Sequence, residues 1–169
     1  MIRLEKFSST HYANLISWVN NEEELMQFAG PAYSFPLTAR QLDESLSDTN
    51  RYAFIVVDVD TNKNIGHCEL YLKDISFHLG RILIGDKNQR GKGIGQQIVT
   101  ALLEFGFKNF DKTTAELNVF DWNVAAIECY KKVGFSINPD KKIERKIHDK
   151  TWMAINMALE KTLWSETNN

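Results

Sequence analysis

Residues 83–99 read LIGDKNQRGKGIGQQIV, an apolar run, then three alternating glycines, then an apolar-periodic run. A glycine-rich turn between a strand and a helix can cradle phosphates. Backbone N–H groups at a helix start point outward unpaired, and the helix dipole adds positive potential. Gly91, Gly93 and Gly95 put no Cβ in the way of a pyrophosphate, and Arg90 and Lys92 add charge without a metal. Three glycines at a helix start also weaken that start by roughly 1 kcal/mol each relative to alanine, which a plain chain reversal would not require. Two familiar phosphate holders do not fit. A P-loop needs Ser or Thr after its lysine, and Lys92 is followed by Gly93. A dinucleotide fingerprint needs G-x-G-x-x-G, but Gln96 follows Gly95. Glu116 stands roughly where an acidic ribose ligand would, yet the loop lies past the chain midpoint rather than in an opening βαβ unit. The pattern R-x-x-G-x-G, carried by Arg90, Gly93 and Gly95, fits.

Other residues have the chemistry of proton transfer. Tyr130, in NVAAIECYKKVGF, has a phenol able to protonate a leaving group. Taken alone, it fits equally a core aromatic on the stripe Ala126, Ile127, Tyr130 and Val133. Glu69 and His67 share one face of HCELYL by period-two spacing. Glu69 is the first candidate to accept a proton and His67 the reserve; a solvated strand face accounts for Glu69 as well. Cys129 has apolar helix neighbours and no His nearby in sequence, so a thiol nucleophile is not expected. Cys68 and Cys129 lack metal-ligand spacing. No metal site is predicted, and the pair reads as buried thiols of a reducing cytoplasm.

The elements around these residues follow from periodicity. IRLEKF alternates as a first strand, and STHYANLISWVNNEEEL has Leu15, Trp18, Val19 and Leu25 near helical spacing, with Ser9 or Thr10 as cap. The acidic run NEEEL reads as a solvated face. The loop FAGPAYSFPLT is rich in aromatics, and Tyr33 and Phe35 are candidates for an acceptor wall, although packing between two helices explains them too. A second helix starts at a capping box, Thr38 with Gln41, flanked by the staple residues Leu37 and Leu42. YAFIVVDV, IGHCELYL and SFHLGRILI follow as antiparallel strands. The glycine loop opens a helix with Ile94, Ile98, Leu102 and Phe105 on one face. Then come the strand TTAELNVF, a short helix stopped by Gly134, and the strand TWMAINMAL, in which Trp152 is a core or wall residue.

The chain has 169 residues, 43% hydrophobic and 25% charged, with a net charge of -2, values for one soluble globular domain. There is no basic excess for nucleic-acid binding, no apolar run near the roughly 20 residues of a membrane helix, and no signal-peptide pattern at the start. A cytoplasmic protein is expected.

RGKGIGQQIV followed by LNVFDWNVAAIECYKKVGF resembles the GCN5-related N-acetyltransferase (GNAT) family. More narrowly, it resembles the branch with bacterial ribosomal-protein N-terminal acetyltransferases. The resemblance runs over nearly the whole chain. It implies an α/β fold with one mixed, mostly antiparallel sheet and splayed central strands. The implied order is strand, two helices, three strands, helix, strand, helix and two strands. One domain would span residues 1–169, with a frayed tail from about residue 161. The resemblance implies acetyl-CoA as cofactor. Backbone groups of Ile82, Leu83 and Ile84 would pair with the pantetheine arm, and Arg90, Gly91, Lys92, Gly93, Ile94 and Gly95 would hold the pyrophosphate. Asn123 matches the asparagine that bonds the pantetheine region, Ala126 the small residue beside which the cofactor passes, and Tyr130 the tyrosine near the sulfur. The implied activity is direct acetyl transfer to a primary amine, a protein N-terminus or a small amine, and the family-level expectation for assembly is a homodimer. A non-catalytic CoA-binding module and a dinucleotide oxidoreductase are the alternatives.

Overall fold

The computed structural model describes residues 1–167. Seven strands form one sheet in the order β1-β2-β3-β4-β5-β7-β6. The strands are β1 (Ile2–Lys6), β2 (Arg51–Asp58), β3 (Lys63–Leu72), β4 (Ser76–Ile84), β5 (Thr114–Phe120), β6 (Ser136–Ile147) and β7 (Lys150–Glu160). All neighbours pair antiparallel except β4 and β5, which run parallel. That parallel ladder is short, joining only Ser76 to Leu79 with Thr114 to Leu117. Past Leu79 the two strands part. β5 goes on pairing with β7 through Phe120, while β4 goes on pairing with β3 through Ile84. The splay leaves one edge of each strand without a backbone partner.

The alternation along each strand sorts residues onto two faces. One face buries Cys68, Leu70, Phe77, Leu79, Leu117 and Met157 beneath α4 (Ile94–Asn109) and α5 (Val124–Val133). The other carries Ala53, Ile55 and Val57 beneath α1 (Tyr12–Trp18), α2 (Glu22–Ala29) and α3 (Ala39–Leu46). These three helices pack against β2, β3 and β4.

Several expectations need correcting. The first helix is two. The break falls at 19–21, where Asn21 is extended and its side chain accepts from the Glu24 N–H at 2.8 Å. Asparagine competes with helical backbone for hydrogen bonds and so starts a new helix better than it continues one. Glu22, Glu23 and Glu24 fill the first turn of α2, where the helix dipole favours carboxylates. Glu22 pairs with His148 and Glu23 with Lys150, so the acidic run also bridges to the β6–β7 hairpin. Neither Ser9 nor Thr10 caps α1; Ser8 precedes a 3-10 turn, and its N–H donates to His11 Nδ1 at 3.1 Å. The chain does not fray from residue 161. Lys161–Thr167 form α6, with Trp164 buried in the main core. Asn168 and Asn169 lie outside the described residues. Only half of the expected capping box forms: Thr38 Oγ1 accepts from the Gln41 N–H at 3.4 Å, whereas Gln41 Oε1 accepts from the Ser34 N–H at 2.8 Å; Leu37 and Leu42 are both buried. Gly134 ends α5 in a left-handed conformation.

Candidate active site

The splay opens into a cleft of about 1090 Å³, walled by β4, β5, the glycine loop, α5 and the α2 region. On one side runs the free edge of β4, with Ile82, Leu83 and Ile84 in the wall. A bulge sets the direction of this segment. The β3–β4 register shifts between His67 and Glu69, and Arg81 adopts φ +48, rare for a residue with a Cβ.

The glycine loop closes one end. Gly91 and Gly93 both have φ +77, and nothing lies within 4 Å of where a Cβ would stand on either. Gly93 begins α4 in the left-handed region, and no side chain caps the helix. The first N–H groups of α4 therefore face an open, electropositive mouth. An alanine at position 93 would have to adopt the same backbone. Gly93→Ala is expected to cost about 1–2 kcal/mol, read as a lowered Tm together with weaker protection by CoA. Arg90 lines the cleft at this end and also braces the loop. Its Nε and Nη2 donate to the Ile84 carbonyl at 3.2 and 3.1 Å, so the side chain ties the loop to the end of β4. Lys92 is exposed and stands outside the cleft wall.

α5 supplies the facing wall. Asn123 is its N-cap, with Oδ1 accepting from the Ala126 N–H at 3.3 Å. Its amide nitrogen has no protein partner among the described residues and faces a wall shared with Ala126 and Tyr130. Burial, then the neighbouring Cys129, raises the Tyr130 phenol above its ordinary value, so it stays protonated at neutral pH. Its ring meets Phe135 edge-on at 6.2 Å. Burial also raises the Cys129 thiol, the opposite of what activates a nucleophile. Cys129→Ala is accordingly expected to retain most acetyl transfer in a steady-state assay.

The α1–α3 side of the cleft differs most from expectation. Glu69 does reach the cleft, but it is only 4% exposed and fully engaged. It accepts from Arg51 Nη1 at 2.6 Å, from Arg81 Nη1 at 3.2 Å and from His67 Nε2 at 3.0 Å. Burial alone would raise its pKa. The His67 hydrogen bond and the charges of His67, Arg81 and Arg51 outweigh that and hold it at about 2. A carboxylate held that low and bonded to three cationic or imidazole groups is poorly poised to take an amine proton near neutrality. His67 is fully buried, edge-on to Phe7 at 4.5 Å, and outside the cleft wall, so it does not touch a substrate. Tyr33 does not line the main cleft either. It lies under the Arg81 guanidinium, 4.3 Å from ring centroid to Cζ, and its hydroxyl accepts from Arg81. Phe35 is 41% exposed and lines no part of the cleft; Phe28, Ala29, Gly30 and Pro31 take the place expected for it. Trp152 packs against Trp122 and against Phe120, which lines the cleft, but is not itself in the wall.

Sequence reasoning missed Arg51, Lys73, His78, Arg81 and Arg145, all in the cleft wall. A visible signal did exist for Arg81, a charged residue inside the otherwise apolar strand SFHLGRILI. Burial lowers the His78 pKa to about 4, leaving a neutral imidazole.

A splayed parallel pair, an uncapped glycine-started helix at its mouth, and an asparagine-capped helix carrying a tyrosine thus share one cleft. Residues 2–136 match the family model described as acetyltransferase (GNAT) domain. The chain belongs to the GNAT family.

Relatives of this GNAT domain handle amines. A 53-residue stretch is 38% identical to an aminoglycoside N(6')-acetyltransferase type 1 of Klebsiella pneumoniae, covering 31% of this chain. A kanamycin resistance protein of Rhizobium radiobacter is 36% identical over 52 residues, 48% of its length. The chain's match spans about a quarter (26%) of the length of the Klebsiella relative. In three dimensions the GNAT domain superposes along its whole length on an aminoglycoside acetyltransferase in complex with coenzyme A, with TM-score 0.79, 20% identity and 100% of both chains covered. It also matches spermidine N-acetyltransferase from Vibrio cholerae in complex with CoA and spermine, with TM-score 0.80, 20% identity, and 97% and 98% coverage. At such identity the likeness is one of fold. No helix among the described residues is long and apolar enough to cross a membrane.

Proposed function

We propose that the chain transfers the acetyl group of acetyl-CoA directly to a primary amine. The observation that carries this reading is the meeting, in one cleft, of the free β4 edge, the open start of α4 and the protonated Tyr130. The residues fit the cofactor. Along Ile82, Leu83 and Ile84, β4 keeps its partner β3 but has lost β5, so the backbone groups on that free edge are in reach of an amide-bearing arm, except the Ile84 carbonyl, which Arg90 occupies. Gly91, Gly93, Ile94 and Gly95 offer N–H groups to a pyrophosphate, with no Cβ intruding at Gly91 or Gly93. Asn123 and Ala126 line the opposite side.

Acetyl-CoA, when bound, supplies an activated thioester. Tyr130 holds a proton at its hydroxyl for the departing thiol sulfur. An N–H on the free edge of β4 would oppose the charge that develops on an acetyl oxygen held there. Burial of Cys129 and its raised thiol favour transfer without a covalent enzyme intermediate. No carboxylate in the cleft is poised to take the amine proton. The cations in the wall favour the neutral form of a bound amine, and an α-amine, with a pKa of about 7.7–8.0, needs little help. This suits a protein N-terminus, as in the ribosomal-protein branch, and a small amine like those of the aminoglycoside and spermidine relatives. Cys68 and Cys129 are unpaired thiols, which fits a reducing cytoplasm. A homodimer remains part of this reading through the family resemblance alone.

The test is thermal protection by CoA set against NAD, followed by thiol release from acetyl-CoA with a panel of amines. Protection by CoA and amine-dependent thiol release are expected. Protection by NAD alone would return the chain to the dinucleotide class. Protection by CoA without transfer to any amine would make it a CoA-binding module.

A further inference from the structure

The chain as a whole is slightly acidic, yet the half of the cleft on the α1–α3 face is basic. Arg51 on β2, Arg81 on β4, Arg145 on β6 and Lys73 just past β3 line it, against the single carboxylate of Glu69. The register puts them on one side of the sheet. Arg51 faces Tyr71, two residues along β3 from Glu69, and Arg145 faces Trp152, two residues along β7 from Ala154 in the cleft wall. Of the other carboxylates nearby, Glu44 and Asp48 share a small side pocket with Arg51 and Arg81; Glu44 pairs with Arg40, and Asp48 accepts from the Asn50 N–H. Glu24 accepts from Asn20 and feels Lys87 and Arg90 at the glycine-loop end. Glu128 pairs with Lys131, and Glu116 with Lys141, Ser76 and Asn156. Within the buried cluster two guanidiniums and the His67 imidazole face one carboxylate, before Lys73 and Arg145 are counted.

The cluster is also built rather than incidental. Arg81 has a side chain only 10% exposed, fixed by Glu69, Ser45 and the Tyr33 ring. Arg51 lies over the Tyr71 ring at 5.0 Å, and its Nε is buried without a partner. The Arg51 Nη2 and the Arg81 Nε and Nη2 have no hydrogen-bond partner among the described residues and are the donors left for an anion. Preformed guanidinium forks suit carboxylate and phosphate geometry.

We propose that the acceptor is a primary amine that also carries an anionic group, a carboxylate or a phosphate, held by Arg51 and Arg81 with Lys73 and Arg145 at the rim. This rests on the acetyl-transfer reading and narrows its acceptor. Polycations of the aminoglycoside or polyamine kind meet like charge in this cleft and are disfavoured. The same cations that hold the anion favour the neutral, nucleophilic amine, which compensates for the missing base.

The test uses the full chain and amines matched except for charge: β-alanine against β-alaninamide, glucosamine 6-phosphate against glucosamine, with spermidine and kanamycin as polycations. Protection by CoA alone is measured first, so that failure of the donor reading is seen separately; without it, this proposal falls as well. Two readouts follow, kcat/KM for acetyl transfer and the Tm shift each amine adds in the presence of CoA. The anionic member of at least one pair is expected to exceed its uncharged twin by about tenfold in kcat/KM, or to be the only one that raises Tm. The pair that responds identifies carboxylate or phosphate. Arg145→Glu, at the rim, is expected to erase that preference and leave protection by CoA unchanged. Equal or better use of the twins that lack the anion together with no Tm advantage for either anion, or preference for spermidine or kanamycin, overturns the proposal.

Discussion

Tyr130→Phe is expected to lower kcat by at least about 10²-fold, the usual contribution of a positioned proton donor. Thermal protection by CoA should be unchanged, because the ring and its edge contact with Phe135 remain. The substitution removes one oxygen from a hydroxyl that has no protein partner among the described residues, so folding loses no hydrogen bond. The position is set by two local devices. Asn123 starts α5 with its own side chain, and Gly134 stops it in the left-handed region. Between them Tyr130 falls on the turn that faces the splay. If the phenol donates to the leaving thiol, the loss should shrink with acyl donors whose thiol is already a good leaving group, such as an acetyl thioester of a low-pKa aromatic thiol. An equal loss with both donors, or a Phe variant as active as the parent, would show that Tyr130 only packs.

Glu69→Ala should be the most destabilising single change in the cleft. It strips two guanidiniums and His67 of their common acceptor. Breaking a buried ion pair from one side costs about 3–5 kcal/mol, because the opposite charges stay buried and uncompensated. For a chain of this size that corresponds to a Tm lower by roughly 10 °C. The same cluster predicts an acid limb of stability. Glu69 titrates at about 2 in the folded chain and at about 4.3 when unfolded. A group depressed by folding contributes its full stabilisation above the unfolded value, loses it as pH falls through the interval, and contributes nothing below the folded one. Denaturant unfolding followed from pH 6 to pH 3 should therefore show stability falling in the parent. In Glu69→Gln the fall should be shallower, since that side chain does not titrate. An identical pH dependence in the two proteins would remove Glu69 from the account.

Much of this molecule was legible locally. Thr38, Leu37 with Leu42, and Gly134 each act within a few residues: Thr38 caps α3, the two leucines are buried beside it, and Gly134 stops α5; only the return bond expected of Gln41 goes elsewhere, to Ser34. The glycine loop and the Asn123–Tyr130 segment likewise specify short pieces of backbone, and so pointed to the family. The split at 19–21 was also local, and N-N-E-E-E carries its signal. It was overlooked because apolar spacing ran across the break.

What only the tertiary structure decided is the company each charged residue keeps. Arg51, Glu69 and Arg81 come from three strands, and they meet because the β2–β3 and β3–β4 registers bring them together. A bulge at Arg81 and the parting of β4 from β5 after Leu79 depend on those registers and on which faces the helices cover. No window of sequence contains that information. Glu69 looked like a base because a lone carboxylate on a strand titrates near its ordinary value. Two guanidiniums and an imidazole, brought to it from elsewhere in the chain, made it an anchor instead. The loop that holds the donor is thus written in consecutive residues, whereas the charge that selects the acceptor exists only after the sheet has formed.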